Sequence, residues 1–461
     1  VVIIGGGPGG YEAALVGAQL GADVTVVDRD GLGGSAVLTD CVPSKTLIAT
    51  AELMTDVRGS EELGVRFGRD LVVGEAASVD LAVVNTRVKA LAASQSADIA
   101  RQLENAGVRV VPGTGSLDGP ETVVVSSADG HQERLPADAV LLATGAHPRV
   151  LSTAVPDGER ILTWDQVYEL QELPERLIVV GSGVTGAEFA SAYNALGADV
   201  VLVSSRTRVL PGEDSDAAQV LEDVLKRRGM TVLSTSRAES VVREDSSVRV
   251  RLAGGEADVL GSHCLLAVGS VPNTDGLGLE ESGVALAAGG FVSVDGVSRT
   301  SARGVYAAGD CTGVLMLASV AAMQGRTAMW HFLGDAVSPL DLKAVSSNVF
   351  TAPEIATVGW TQDAVDSGEI AAVGIMLPLA GNARAKMQGV RDGFVKLFCR
   401  PGTGIVVGGV VVGPRASELI YPVSVAIEGR LTVDQLAHAF AVYPSISGSI
   451  AEAARRLHTR G

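Results

Sequence analysis

The sequence predicts an α/β chain: two Rossmann-like units of one kind, followed by a C-terminal α+β domain. Three observations predict it. A strand–glycine-turn–helix–strand pattern occurs twice in the same register. Each copy is followed by an apolar strand that runs into Ala-x-Gly and then proline. After about residue 344 the glycine signature stops and strands and helices of a different pattern take over. At 461 residues the chain is long enough for about three domains.

The first copy reads VVII at 1–4, GGGPGGYEAA at 5–14 and LGADVTVVD at 20–28. The second reads LIVV at 177–180, GSGVTGAEFA at 181–190 and LGADVVLVS at 196–204. Each is a βαβ unit, whose parallel strands need a helical crossover. Within G-x-G-x-x-G, Gly5 and Gly181 make the tight turn. Gly7 and Gly183 let backbone approach a pyrophosphate, and Gly10 and Gly186 let the helix pack on the strand. The helix N-terminus then faces the anion. The chain is therefore expected to hold two dinucleotides. VLLATGAHP at 140–148 and CLLAVGSVP at 264–272 close the two nucleotide-binding halves, and GVYAAGD at 304–310 is a third strand–glycine–acid element.

Between the copies, 78–107 reads as a helix, with Ser78 as its N-cap and Gly107 as its stop. Residues 108–140 alternate and turn like a small antiparallel sheet. Past 344, FVKLFC and GIVVGGVVVG read as strands, and SELIYPVSVAIEG and SISGSIAEAARRL as helices. The expected domains are 1–150, completed by about 273–343 as a central segment, then 151–272, then 344–461.

Residues at the strand ends distinguish the two nucleotides. Asp28 closes the second strand of the first copy, where a carboxylate accepts from ribose hydroxyls. Its counterpart in the second copy is Ser204, followed by Ser205, Arg206 and Arg208. An acid there would repel a 2′-phosphate and a serine does not, so NADPH is expected to be preferred, with NADH still possible. A nicotinamide and a second dinucleotide in one chain imply a relay, and the second is most simply a flavin.

Composition excludes other classes. A net charge of −17 repels nucleic acid and anionic membrane surfaces. No charge-free apolar run is long enough to cross a bilayer. The chain opens on a strand, with no signal-peptide pattern. Four cysteines stand far apart, and six histidines include no metal-spaced pair. Neither a disulfide framework nor a metal is expected, and the cytoplasm is the expected compartment.

The sequence resembles the pyridine nucleotide–disulfide oxidoreductases, the dihydrolipoamide dehydrogenase and glutathione reductase family, over nearly the whole chain. The resemblance rests on both glycine motifs, GGSAVLTDCVPSK at 33–45, ATG at 143–145, AVGSVPNT at 267–274, YAAGD at 306–310, TAPEIATVG at 351–359 and VYPSISG at 442–448. It implies FAD in the first fold, NAD(P)H in the second, and a C-terminal interface domain that makes a homodimer. FAD contacts are implied at Pro8, Asp28, Thr144, Gly145, Asp310 and Ala318, and a nucleotide contact at Gly269. Lys45 and Glu188 would form an ion pair beside the flavin, where hydride arrives.

The chain also departs from the family pattern. The first cysteine of GG-x-C-x-x-x-x-C is Ala36, and Cys41 stands alone. The tail's histidine and glutamate are replaced by Tyr443 and Gly448. Thiol–disulfide exchange needs an attacking and a resolving thiol, so a dithiol cycle is not expected. Cys41 is read as packing against the flavin in preference to a redox role. Tyr443 either lines the acceptor cleft or fills the histidine's space. The expected function is FAD-dependent transfer of hydride from NAD(P)H to a quinone-type diffusible acceptor, as in the disulfide-less quinone reductases. A soluble transhydrogenase and a non-catalytic flavoprotein subunit are the alternatives.

Overall fold

The computed structural model describes residues 1–65 and 77–458, and these cluster into two compact units. The first comprises Val1–Thr46, Asn85–Arg149 and Gly269–Leu340; the second comprises Leu47–Val84, Val150–Val268 and Asp341–Gly461.

In the first unit, five parallel strands lie in the order Val305–Ala307, Val140–Leu142, Val2–Ile4, Thr25–Asp28, Arg109–Pro112. Val140–Leu142 and Val2–Ile4 are buried along their whole length, as suits a parallel sheet covered on both faces. Helices Pro8–Gln19 and Ala318–Phe332 pack closely on each other. A Cβ on Gly325 would lie 2.0 Å from the Gly9 carbonyl oxygen, and Arg326 is paired with Glu12 at 2.7 Å. The expected antiparallel sheet is present as Thr114–Leu117, Thr122–Ser126 and Gln132–Pro136, but Arg109–Pro112 joins the parallel sheet instead. Ala146–Pro148 and Ser270–Pro272, the proline ends of the two matching strands, pair with each other antiparallel.

In the second unit, the parallel sheet runs Thr231–Leu233, Asp199–Val203, Arg176–Val180, His263–Leu266, Ile161–Thr163. Its four matching positions repeat the strand order of the first sheet. The edge strand differs in origin: it precedes the glycine motif here and follows it there. A three-stranded antiparallel sheet follows, built from Ala238–Glu244, Ser247–Leu252 and Val259–Gly261. The C-terminal sheet is antiparallel, in the order Ser346–Val349, Glu354–Gly359, Val406–Gly413, Phe394–Cys399, Val373–Pro378. Its central strand Val406–Gly413 is fully buried, so the longest apolar run in the sequence is a sheet core. Helices Tyr421–Glu428 and Gly448–Leu457 contribute to the same apolar core.

The helix expected over 78–107 is Leu81–Asn105. Its cap is Asp80, whose Oδ1 accepts from the Val83 N–H at 3.1 Å, and not Ser78. Asp and Ser cap about equally well, so the sequence could not choose between two candidates two residues apart. No helix among the described residues is long and apolar enough to cross a membrane.

Candidate functional site

Both glycine turns have the geometry that a dinucleotide requires. Gly5 and Gly181 have φ of 105° and 114°, and a Cβ on either would lie 2.2 or 2.1 Å from a carbonyl oxygen, of Ala143 or Ala267. No other residue fits there. Gly183 differs: a Cβ there would meet nothing within 4 Å. The protein's own packing does not demand that glycine, whereas a pyrophosphate approaching the backbone would. These cradles fit the two nucleotides on the chain's own geometry.

In the first unit, the Asp28 carboxylate is already fixed. Oδ2 accepts from the Gly6 N–H at 2.6 Å, and Oδ1 accepts from Asp30 and Gly31 at 2.9 and 2.6 Å. A carboxylate has about four lone-pair sites, so capacity remains for ribose hydroxyls. Thr144 is clamped by a residue that sequence reading missed. Its hydroxyl donates to the Asn273 carbonyl at 2.7 Å, and the Asn273 amide donates back to the Thr144 carbonyl at 2.8 Å. Gly145 closes the clamp by accepting from the Asn273 N–H at 3.0 Å.

Asp310 follows Gly309, whose N–H donates to the Gln324 Oε1 at 2.8 Å. Burial, with the Asp40 carboxylate as a second cause, pushes the Asp310 carboxyl up to about 6. Ala318 opens the helix that carries Gln324, and its N-cap Leu317 supplies no side-chain acceptor. Pro8 occupies the first helical position after Gly7. Gly269 falls in the first unit, apart from Gly181 and Gly183, and accepts from the Arg149 N–H at 2.9 Å.

Cys41 opens the helix Cys41–Gly59, and Ala36 lies in the short helix Gly34–Leu38 before it. Lys45 is one turn beyond Cys41, so the two share a helix face. The four cysteines form no disulfide, and Cys264, Cys311 and Cys399 are buried. Cys311 donates its thiol to the Leu142 and Ala308 carbonyls, and burial pushes it up to about 11. It is core, not a substitute for the absent thiol.

The second unit holds a cleft of about 370 Å³ at the carboxyl ends of its parallel strands. Gly181, Ser182, Gly183, Ser205 and Arg206 line it, and so do Ser236 and Arg237, which sequence reading missed. Ser204 points inward: it is 1% exposed, and its hydroxyl pairs with that of Ser182 at 2.6 Å. The residue that replaces the acid is therefore a buried spacer, and Ser205 and Arg206 present the polar wall. Arg208 is turned away, donating to the Pro211 and Glu213 carbonyls at 3.3 and 3.1 Å. Two backbone bonds fasten the Arg237 loop to this wall, Thr235 N–H to the Arg206 carbonyl and Ser236 N–H to the Ser204 carbonyl, both at 2.8 Å.

Glu188 lies on helix Val184–Leu196, only 3% exposed, and Oε1 accepts from the Phe350 N–H at 2.8 Å. The interface-domain backbone thus fixes this carboxylate, a contact with no local sequence signal. Tyr443 is 86% exposed, on a surface shared with the exposed Phe440 and Val442. Gly448 begins the last helix.

A family model for pyridine nucleotide-disulphide oxidoreductases matches residues 1–325, and one for their dimerisation domain matches residues 345–454. The chain belongs to this family. As a pyridine nucleotide-disulphide oxidoreductase it is a flavoprotein enzyme that uses FAD and NAD(P)H. It is 55% identical over 466 residues to the NAD(P)H dehydrogenase (quinone) of Mycobacterium tuberculosis, covering 99% of this chain and 93% of that protein. It is 35% identical over 458 residues to the dihydrolipoyl dehydrogenase of Chlorobaculum tepidum, covering 98% and 96%. The crystal structure of LpdA from Mycobacterium tuberculosis aligns with a TM-score of 0.94 at 55% identity, covering 99% of each chain. The flavoprotein disulfide reductase RclA from Escherichia coli shares the fold, with a TM-score of 0.86 at 23% identity over 98% of this chain and 99% of that one.

Proposed function

We propose that this family member oxidises NADPH in preference to NADH and reduces a quinone, without a redox-active disulfide. One observation carries the reading. Both nucleotide cradles are intact, while the only cysteine that is not buried, Cys41, has Ala36 five residues before it where the family motif has its other thiol. Bound FAD supplies the acceptor of the hydride and the donor to the second substrate. The net reaction takes NADPH, a proton and a quinone to NADP⁺ and a hydroquinone. A quinone requires no thiol, and the 55%-identical mycobacterial relative carries the name of a quinone dehydrogenase.

The residues take the following roles. Gly5, Gly7, Pro8, Gly10, Asp28, Thr144, Gly145, Asp310 and Ala318 hold FAD in the domain of 1–150 and 273–343. Gly181, Gly183, Gly186, Gly269, Ser205 and Arg206 hold the nicotinamide nucleotide over 151–272, and Arg237 joins them on the geometry of the cleft. Lys45 and Glu188 order the hydride site, and Cys41 packs beside the flavin. The dimerisation segment supports a homodimer in which Tyr443, exposed in one chain, reaches the acceptor cleft. The cysteine usage supports a cytoplasmic protein.

The test is anaerobic titration of the FAD-loaded enzyme with NADPH, followed by a panel of acceptors. The flavin absorbance should bleach with the first reducing equivalents, because there is no disulfide to reduce beforehand. Small quinones should restore it, and lipoamide and glutathione disulfide should not. Efficient turnover of a disulfide would overturn the assignment.

A further inference from the structure

The C-terminal part of the second unit holds another cleft, of about 360 Å³. It is close in size to the nucleotide cleft and shares no residue with it. Its floor is apolar: Ile405, Val406, Val407 and Ile427, beside Trp360. Backbone bonds tie the walls together. Trp360 donates its N–H to the Val407 carbonyl, Val406 to that of Leu431 and Arg400 to that of Ile405, each at 2.9 Å. Small-molecule sites combine such an apolar floor with a few convergent polar groups.

Here the polar groups are cationic. Lys343, Arg400 and Arg430 line the cleft against a single carboxylate, that of Asp341. Lys343 is held over the Trp360 ring, with Nζ 4.0 Å from the centroid. The Asp341 carboxylate accepts from the Lys343 backbone N–H at 2.9 Å. The Arg400 and Arg430 guanidiniums have no hydrogen bond or ion pair among the described residues, although the chain carries 53 acids to 36 bases. Arg206 and Arg237, on the wall of the nucleotide cleft, are in the same uncommitted state. Arg430 is also held at φ 51°, two residues past the end of helix Tyr421–Glu428. Glycine or asparagine adopts that conformation more readily at a helix end, so the backbone alone does not account for an arginine there.

The charge of the cleft selects its ligand. Three cations and one carboxylate leave two positive charges unanswered, and a phosphomonoester carries about −1.5 to −2 at pH 7. Arginine forks match phosphate oxygens in pairs. A monocarboxylate would answer only half the charge. The net charge of −17 opposes approach to an anionic bilayer, which favours a soluble molecule over a lipid headgroup. We propose that this cleft is a separate ligand site for a small soluble organic phosphate. The phosphoryl group sits on Arg400 and Arg430, and the apolar body on Val406, Val407 and Ile427.

The experiment is titration calorimetry on the FAD-loaded enzyme with phenyl phosphate as the probe, and with inorganic phosphate and phenol as its two halves. Wild type should bind one phenyl phosphate per chain, at least tenfold more tightly than either half. Arg400→Gln and Arg430→Gly should each weaken that binding about tenfold or more, because each removes a charge-assisted bond. Arg206→Ala, the control for binding in the nucleotide cleft, should not. Tm should not fall in Arg430→Gly, since glycine relieves the positive φ. Absence of saturable binding, equal affinity for inorganic phosphate, or a loss in Arg206→Ala with none in Arg400→Gln would overturn the proposal. So would binding to phosphatidate vesicles that phenyl phosphate displaces, because the occupant would then be a lipid.

Discussion

Removing the Arg206 guanidinium should narrow the preference for NADPH and leave NADH oxidation nearly untouched. Arg206 and Arg237 both line the cleft, from loops joined by two 2.8 Å backbone bonds. A charge-assisted hydrogen bond contributes about 1.5–3 kcal/mol, roughly tenfold to a hundredfold in affinity. Both side chains are solvent-exposed, which screens them and points to the lower end. Arg206→Ala should therefore reduce the NADPH-to-NADH ratio of kcat/KM about tenfold, and Arg237→Ala similarly. The 2′-phosphate is remote from the reacting carbon, so the loss is of uniform binding: KM for NADPH rises and kcat holds. The double variant should lose more than either single one, and added salt should shrink the effect. Arg208→Ala is the internal control, because that guanidinium is already committed to the Pro211 and Glu213 carbonyls. Steady-state quinone reduction with each nucleotide measures the wild type and all four variants. A wild-type preference for NADH of tenfold or more, or an equal loss with both nucleotides in Arg206→Ala, would refute the reasoning.

Glu188→Gln can keep the Phe350 N–H bond while removing the charge, so it should slow stopped-flow flavin reduction by about tenfold or more, with FAD content unchanged. Unaltered kinetics would remove Glu188 from the hydride step. Asp310, raised to about 6 from the usual 3.8, carries a penalty for ionisation that is absent below the usual value and complete above about 6. If FAD hydroxyls donate to this carboxylate and restore its ordinary pKa, FAD affinity of the apoprotein should rise about tenfold from pH 5 to 7 and then level off. Asp310→Asn should flatten that profile in fluorescence titrations. Lys396, 3% exposed, is held by Asp214 and Asp216 at 2.7 Å each. Lys396→Met strands the buried Asp214 carboxylate and should cost about 3–5 kcal/mol in urea unfolding. Adding Asp214→Asn should recover part of that loss, since Asn still caps the helix at Ser215.

The sequence by itself determined the two dinucleotide cradles, the matching strands around them and the loss of the dithiol. These are local matters. A φ that only glycine adopts, an apolar run that needs two covered faces, and a missing sulfur atom are all set within a few residues. Tertiary structure decided what depends on distant chain. Ser204 reads as a ligand-facing residue until Ser182 is seen to take its hydroxyl. Arg237 enters the nucleotide cleft because its loop bonds to the Arg206 loop, about thirty residues earlier in the chain. Asn273 clamps Thr144 and the Phe350 backbone fixes Glu188, both across separations that leave no periodic or spacing signal. Lys396 sits inside FVKLFC, where alternation would put a lysine in water; it is buried because two aspartates at the start of a distant helix offset the cost of its charge. Backbone geometry is written locally, and the pairing of polar groups is settled only where separate segments meet.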